Sequence, residues 1–475
     1  MTDRRPFIAG EWVATNDVQE IRSPYSGKTV TRVHRARAEE VERSIESARR
    51  AAPVMRELPA WRRSEILEKM AAGVAARRDD FARLLALEAG KPLKAGRAEV
   101  DRAVFTLRCA GEEARRMGGE LIRLDWAPWG EDRLGITRRF PLGVISAITP
   151  FNFPLNLVAH KVAPAIASGN ALVLKPASQT PSPALELAGL AHEAALPPGA
   201  LNVLPASSAV AAPLVSDDRF AMVTFTGSAS VGWDIKKRAG KKKVTLELGG
   251  NAAVIVHGDA DLERAAERIT AGGFGYAGQS CISVQRVFVQ RGVHARFLEA
   301  FVPRVAALVM GDPLDDATDV GPLITEADAR RVESWIDGAV AAGARLVTGG
   351  RCEGAMVSPT VLDGVHPRMK VSCEEVFAPV VAVSTYDTLD EAIGLTNDSR
   401  YGLQAGLFTR DAPSVWKAFE RLEVGAVMID EVPTFRIDHM PYGGVKDSGM
   451  GREGLRYSME EMTELRLLGW HISRQ

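Results

Sequence analysis

Cysteine is scarce in this chain: Cys109, Cys281, Cys352 and Cys373 are the four thiols among 475 residues, and no two of them form a CxxC pair. Such sparseness argues against a disulfide framework and suits a reducing compartment, so a cysteine with a task here is chemical rather than structural. An excess of charge of one sign is lacking too. With 59 Lys+Arg against 60 Asp+Glu and a net charge of −1, no global basic surplus points to nucleic acid. The basic runs Lys236-Lys237-Arg238 and Lys241-Lys242-Lys243 lie near a predicted helix C-terminus, where cations complement the dipole, and read as a solvated face. Internal repeats and low-complexity linkers are missing. The 46% hydrophobic and 25% charged fractions place the chain among ordinary globular proteins, away from disordered and collagenous classes.

The stretch from Met1 to Trp12 has too short an apolar run for a signal peptide, and the expected location is the cytoplasm. One uncharged run, Phe140 to Ala159, is 20 residues long, about a bilayer span. Its Pro141, Pro150 and Pro154, with Asn152 and Asn156, would leave too many polar groups unpaired in lipid. It therefore reads as a buried strand, a loop and a helix start, with no membrane contact.

At ~100–200 residues per domain the length predicts two or three domains. From about Ala36 to Met117 apolar residues recur three or four apart, as in Val41, Ile45 and Ala48, then Ile66, Leu67 and Met70, which predicts helices. Beyond them come short apolar runs with Gly/Pro punctuation, such as 143–148, 171–174, 221–225, 252–256 and 380–383. Runs apolar on both faces predict strands of mostly parallel sheets covered by helices, an α/β architecture with more than one open sheet. Leu121 to Arg139 has hairpin-like polarity around Pro128 and Gly130, and the tail from Met462 to Trp470 partly alternates. Unpartnered strand edges of this kind are expected to pair between subunits.

Two GxGxxG patterns, Gly273–Gly278 and Gly449–Gly454, follow a helical stretch and a polar loop rather than a strand, so neither qualifies as a dinucleotide fingerprint. Thr226-Gly227-Ser228 is the better phosphate candidate, because there a strand runs into a helix N-terminus with free N–H groups; a plain βα turn has the same pattern. Lys175 closes an apolar strand, where α/β sheets gather ligands, although a solvent-facing lysine is the commoner reading. Cys281 follows a glycine-rich bend and is expected near a helix start, an environment that favours thiolate. Cys109 reads as a packing residue, and Cys352 and Cys373 fall in polar loops. Glu247 ends a strand-like run and has two readings, a ribose-binding acid or a general base raised in pKa by apolar neighbours. No HExxH and no His/Cys cluster suggest a metal, and Gly278-Gln279-Ser280-Cys281 lacks the final glycine of a serine-hydrolase elbow.

Seven motifs in chain order complete the picture: Pro150-Phe151-Asn152-Phe153-Pro154, Leu174–Ser178, Phe225–Ser228, Glu247–Asn251, Gly278–Cys281, Glu374–Pro379 and Pro441–Gly449. Their order and spacing resemble the aldehyde dehydrogenase superfamily over essentially the whole chain. The resemblance implies a Rossmann-type cofactor domain from residues 1–120 and 140–248, an α/β catalytic domain from 249–430, and a small β oligomerisation element from 121–139 and 456–475. It implies Cys281 as the nucleophile that forms a thiohemiacetal and then a thioester, with the Asn152 amide and the Cys281 N–H as oxyanion hole. Glu247 becomes the base that activates water. Lys175 and Glu375 match residues that bind the two riboses, Gly227 and Ser228 the pyrophosphate turn, and Phe377 a nicotinamide-side packing residue. Thr149, Pro150, Phe151, Ser178, Val231 and Leu248 complete the expected cofactor contacts.

Departures bear on specificity. Many NAD-preferring members carry Glu where this chain has Ser178, so NAD is favoured and NADP left open. Ala378 replaces a common glycine. Ser280 precedes the cysteine where members acting on phosphorylated or phosphonylated aldehydes often have Arg. The segment Val432 to Tyr442 resembles the subgroup of lactaldehyde and phosphonoacetaldehyde dehydrogenases, which implies a small aldehyde substrate, hydroxylated or anionic. Arg108 and His160 are the candidate anion-binding residues; the competing readings are a surface or interdomain salt bridge and a structural imidazole. The expected assembly is a homodimer or homotetramer. A CoA-acylating dehydrogenase and a non-catalytic relative are the rival readings; Glu247 argues against the first, and intact Cys281, Glu247 and Asn152 against the second.

Overall fold

Short strands buried on both faces build two open sheets, as apolar runs without alternation should. The computed structural model describes residues 2–472; residue 1 of the predicted cofactor domain and residues 473–475 of the predicted oligomerisation element lie outside the described residues. In the first sheet β1 (Val144–Ile148), β2 (Ala171–Lys175), β3 (Leu201–Val203), β4 (Met222–Thr226) and β5 (Lys243–Glu247) run parallel in the order β5-β4-β1-β2-β3. Gly449–Met450 adds an antiparallel edge beside β5, and Phe7–Ile8 another beside β3. The chain lays β2 and β3 on one side of β1 and then crosses to lay β4 and β5 on the other. Ligands of open α/β sheets bind beyond the carboxyl ends of the strands at such a reversal. Register sets Ile148 opposite Phe225 and Thr226 opposite Glu247, so the loops after β1, β4 and β5 emerge at one rim.

The second sheet is centred on β6 (Ala253–Val256), β7 (Arg286–Gln290), β8 (Thr360–Asp363), β9 (Val380–Tyr386), β10 (Gln404–Phe408) and β11 (Ala426–Ile429). These six are parallel in the order β8-β9-β7-β6-β10-β11, with Arg345–Thr348 antiparallel at one edge. Each sheet has its own apolar core.

The predicted helical region resolves into α1 (Ala38–Glu57), α2 (Ala60–Ala76), α3 (Arg78–Ala89) and α4 (Leu93–Arg116). With α5 (Asn156–Ser168) and α6 (Ser182–Glu193) they pack into the core of the first sheet. The uncharged run 140–159 contains β1, a loop and the first residues of α5, and among the described residues no helix is long and apolar enough to cross a membrane. The tail strand Thr463–His471 pairs antiparallel with Arg133–Pro141 of the same chain, and Leu121–Arg123 flanks the other side. The helix Leu455–Glu461, counted largely with the tail from sequence, packs into the first core through Leu455 and Met459.

A buried ion pair ties the helical layer to the rim. Gly90 ends α3 at φ +65°, and a Cβ there would come within 2.7 Å of Pro322 and 2.9 Å of Pro24, so glycine fits this turn with least strain. The turn sends Lys91 inward, fully buried, to pair with Glu99 of α4 and to donate to the Asn152 carbonyl at 2.7 Å. Glu99 Oε1 accepts from the N–H groups of Leu155 and Asn156 at 2.9 and 3.1 Å, satisfying the start of α5. Burial pushes the Lys91 ammonium down to about 8, and Glu99 holds it up against a larger fall. Glu99→Gln keeps the volume and leaves that ammonium without its counter-charge. It is expected to cost about 3–5 kcal/mol, read as a lower thermal unfolding midpoint; an unchanged midpoint would show that the pair carries no net weight.

Candidate active site

Cys281 reaches the rim from the second sheet. Helix α7 (Ala229–Arg238) follows β4, and α8 (Leu262–Phe274) leads into a tight turn, Gly275–Gly278. Tyr276 and Ala277 adopt left-handed backbone at φ +50° and +53°, and Gly278 follows at +69°, where a Cβ would lie 2.1 Å from the Ala378 carbonyl oxygen. The first GxGxxG pattern thus shapes the approach to Cys281. The expectation of a helix start beside the thiol does not hold: the next regular element is β7. Burial instead pushes the Cys281 thiol up to about 11, a rise that the Tyr442 hydroxyl, 3.1 Å from Sγ, partly opposes.

The thiol shares a cavity of about 480 Å³ with Asn152 and Glu247. Asn152 is buried in the loop after β1; its Nδ2 donates to the Gln279 carbonyl at 3.0 Å, while Oδ1 has no partner. An amide nitrogen carries two hydrogens, so one remains for a ligand. Glu247 ends β5 with both carboxylate oxygens buried and unpartnered. Burial and the nearby Glu453 carboxylate raise its pKa well above the ordinary range, against the pull of Lys161, Arg436 and Arg452. After it the chain must pass close to other groups. A Cβ on Gly249 would lie 2.3 Å from Glu375 Oε2, and one on Gly250 2.5 Å from the Cys281 carbonyl oxygen.

The remaining rim residues suit a dinucleotide. Thr149 and Thr226 each bury a hydroxyl with no partner, at the ends of β1 and β4. Ser228 sits at the N-terminus of α7, where N–H groups await an anion. A Cβ on Gly227 would come within 2.5 Å of the Phe225 ring, so the bare backbone leaves the approach open. Lys175 ends β2 with its ammonium largely buried, and burial lowers its pKa. Glu375 accepts from the Gly250 N–H at 3.0 Å, and burial pushes it up to about 7. Phe377, at φ +52°, meets Phe151 edge-on with centroids 6.0 Å apart. Orphan hydroxyls, a free helix start and a buried cation are what NAD(P) would satisfy, so these residues fit it. Pro150, Phe151, Gly227, Ser228, Leu248, Glu375 and Phe377 line the same cavity as Cys281; Thr149, Lys175, half-buried Ser178 and exposed Val231 lie outside its lining.

Neither candidate anion-binding residue lines the cavity. Arg108 is exposed on α4, and His160 is buried with Nε2 bonded to Asp438 Oδ1 at 2.8 Å. Burial and Arg436 lower the His160 pKa, so it serves as a neutral structural imidazole. The cations that do line the cavity are Lys91, Arg102 and Arg436. Arg102 precedes Arg108 by six residues, a rotation of about 240° on an α-helix, which is why the two face different surroundings. Arg102 pairs with Asp438 at 2.6 Å, Arg436 with Glu453 at 3.2 Å, and Lys161 with Glu453 at 2.6 Å. Sequence reasoning passed over Arg436, Tyr442 and Glu453. For Arg436 and Tyr442 the signal lay in the Val432–Tyr442 segment, where Arg436 and Asp438 are two charges of opposite sign among mostly apolar residues; Glu453, further along the chain, carried none. Cys352 lies in a short strand, Cys373 in a single helical turn and Cys109 on α4, all three half-buried.

Comparison with known proteins places this geometry. The sequence model of the aldehyde dehydrogenase family matches residues 12–468. The 3-sulfolactaldehyde dehydrogenase of Priestia megaterium is 45% identical over 463 residues, 97% of this chain and 97% of its own. Aldehyde dehydrogenase 21 from Physcomitrella patens, solved in complex with the reaction product succinate, has a TM-score of 0.97 at 42% identity and covers 99% of this chain and 98% of its own. Glyceraldehyde-3-phosphate dehydrogenase GapN from Methanocaldococcus jannaschii, complexed with NADP, has a TM-score of 0.93 at 39% identity, covering 96% of this chain and 100% of its own. A family match over nearly the whole chain, with relatives above 40% identity, shows that the chain belongs to the aldehyde dehydrogenase family.

Proposed function

We propose that the enzyme oxidises a small anionic aldehyde, hydroxylated in its natural form, to the carboxylate, with Cys281 as nucleophile, Asn152 as oxyanion donor and Glu247 as base. The observation that carries the substrate class is Arg436, whose guanidinium lines the thiol's cavity: Nη2 pairs with Glu453 at 3.2 Å, and Nε, 3.8 Å from Asp438 Oδ1, makes no hydrogen bond among the described residues. An anionic substrate group in the cavity would pair with this guanidinium, and the loss of water around the two would strengthen the pairing. The names of relatives, a sulfolactaldehyde dehydrogenase and an enzyme solved with succinate, support the same class.

Cys281 Sγ adds to the aldehyde carbon, and the spare Asn152 N–H, with the Cys281 backbone N–H, faces the oxygen as it gains charge. Ser228, Lys175 and Glu375 would hold NAD(P), which would supply the hydride acceptor needed to oxidise the thiohemiacetal to a thioester. Glu247 then takes a proton from the attacking water, the C–S bond breaks, and the thiol and carboxylate product are released. Ser178 puts no carboxylate against a 2′-phosphate, so both NAD and NADP are accepted. A homodimer or homotetramer is supported by the tail strand, whose Leu465, Leu467 and Trp470 are 56%, 59% and 58% exposed. The four free cysteines support a reducing cytoplasm.

Cys281→Ala is expected to abolish oxidation and keep cofactor affinity. Glu247→Gln should show a burst of reduced cofactor followed by turnover slower by about 10²–10⁴-fold. Because the raised Glu247 must be ionised to act, wild-type kcat should fall as pH drops through its pKa, and that limb should vanish in Glu247→Gln. Retained turnover in either variant would remove the assigned role. A screen of short anionic and neutral aldehydes with NAD and with NADP, each with and without CoA, tests the substrate class. Arg436→Met should raise KM for the anionic members about tenfold or more beyond whatever change it makes in the neutral ones, which share its effect on the thiol; equal effects on both, or a strict CoA requirement, would count against the reading.

A further inference from the structure

Cys281 works against its surroundings. An apolar pocket and the carboxylates of Glu247 and Glu375 raise the thiol, and only Tyr442 and Arg436 act in the other direction. Among the described residues the Tyr442 hydroxyl is the single hydrogen-bond partner of Sγ, and Sγ the single partner of that hydroxyl, at 3.1 Å. The ring is held from two sides. Its backbone is bridged to Glu453 by Tyr442 N–H to Glu453 O at 3.0 Å and Glu453 N–H to Tyr442 O at 2.6 Å. Its face carries the Arg436 guanidinium, 3.6 Å from the ring centroid. A cation over a phenol draws electron density from the ring and makes the O–H a better donor. The groups facing Tyr442 are Arg436, Glu247 and Cys281 itself, and burial keeps the phenol protonated through the neutral range.

Resting on Cys281 as the nucleophile, we propose that Tyr442 is a further catalytic residue: its hydroxyl donates to the Cys281 thiolate, with Arg436 stacked behind the ring, and so sets the fraction of sulfur ready to attack. No bond is made or broken by the tyrosine; the proton leaving Sγ goes to solvent through the cavity, and the phenol keeps its own. A hydrogen bond to sulfur stabilises the anion and also blunts it, so the two effects must be weighed. With a Brønsted slope of about 0.5, each unit of lowered pKa raises the thiolate fraction about tenfold and lowers its intrinsic reactivity about threefold. When the thiol lies far above neutral pH, the population wins and attack is faster by about threefold per unit.

The test reads the thiol directly and needs neither cofactor nor turnover. Iodoacetamide alkylation of the full-length protein is followed at Cys281 by peptide mass spectrometry from pH 6 to 11, with Cys109, Cys352 and Cys373 as internal references. In Tyr442→Phe the Cys281 alkylation rate should fall about threefold at each pH below the wild-type midpoint, as a rise of about one unit in the thiol demands, while the three reference thiols keep their profiles. An unchanged rate across that range, or faster alkylation, would mean that the ring only packs or that the thiol donates to the phenol, and would overturn the proposal. Should the phenylalanine variant fail to fold, 3-fluorotyrosine at position 442 gives a more acidic donor of nearly the same shape. It should move the Cys281 midpoint down, and no movement would again overturn the proposal. Loss of turnover in Cys281→Ala concerns the nucleophile, whereas the alkylation midpoint concerns Tyr442, so the two failures are distinguishable.

Discussion

Charge taken out of water must find a partner, and in this protein that requirement holds the site together. Lys91 and Glu99, Arg102 and Asp438, and Lys161 and Glu453 are pairs that join α4, α5 and the returning segment 434–453. Removing one member of such a pair leaves an uncompensated buried charge, which is far more costly than never having had the pair. The pairs therefore act as registration marks. Two of them also hold groups of the proposed site: Lys91 donates to the Asn152 carbonyl, and Glu453 is bridged to Tyr442 and paired with Arg436.

Against this background of satisfied charge, several orphan atoms gather at the rim proposed as the active site. Glu247 keeps both oxygens free and Asn152 keeps Oδ1 free, and the hydroxyls of Thr149 and Thr226 stand unpaired at the ends of β1 and β4. Burying polar groups without partners is unfavourable. Their concentration at one rim is understood if a cofactor, a substrate and water satisfy them in turn. The raised pKa of Glu247 follows from burial and the neighbouring Glu453 carboxylate, and it suits the base role proposed for this residue.

Much of the architecture was legible in the sequence because its signals are local. Strands buried on both faces appear as short apolar runs, and β1, β2, β4 and β6 lie on or within a residue of the runs expected. The turn proposed to hold the pyrophosphate, Gly227 and Ser228, sits in a strand–turn–helix pattern that can be recognised without knowing the rest of the fold. Arg108 illustrates the opposite case. From sequence, Arg102 and Arg108 are both arginines on one amphipathic helix, and only the packing of that helix against α5 and the returning segment shows which of them faces the cavity.

By itself, then, the sequence determined the alternation of helix and strand, the strand ends at Thr226 and Glu247, the loop and turn that carry Asn152 and Cys281, and the near-neutral charge. Those depend on residues close together in the chain, where periodicity and turn chemistry act. Tertiary structure alone decided that Arg436 rather than Arg108 or His160 lines the thiol's cavity, that His160 is bound to Asp438, and that Tyr442 meets Cys281 across 161 positions of sequence. The physical reason is burial. Which groups lose their water, and which charges remain to answer them, is set by the meeting of two sheets and not by any stretch of chain alone.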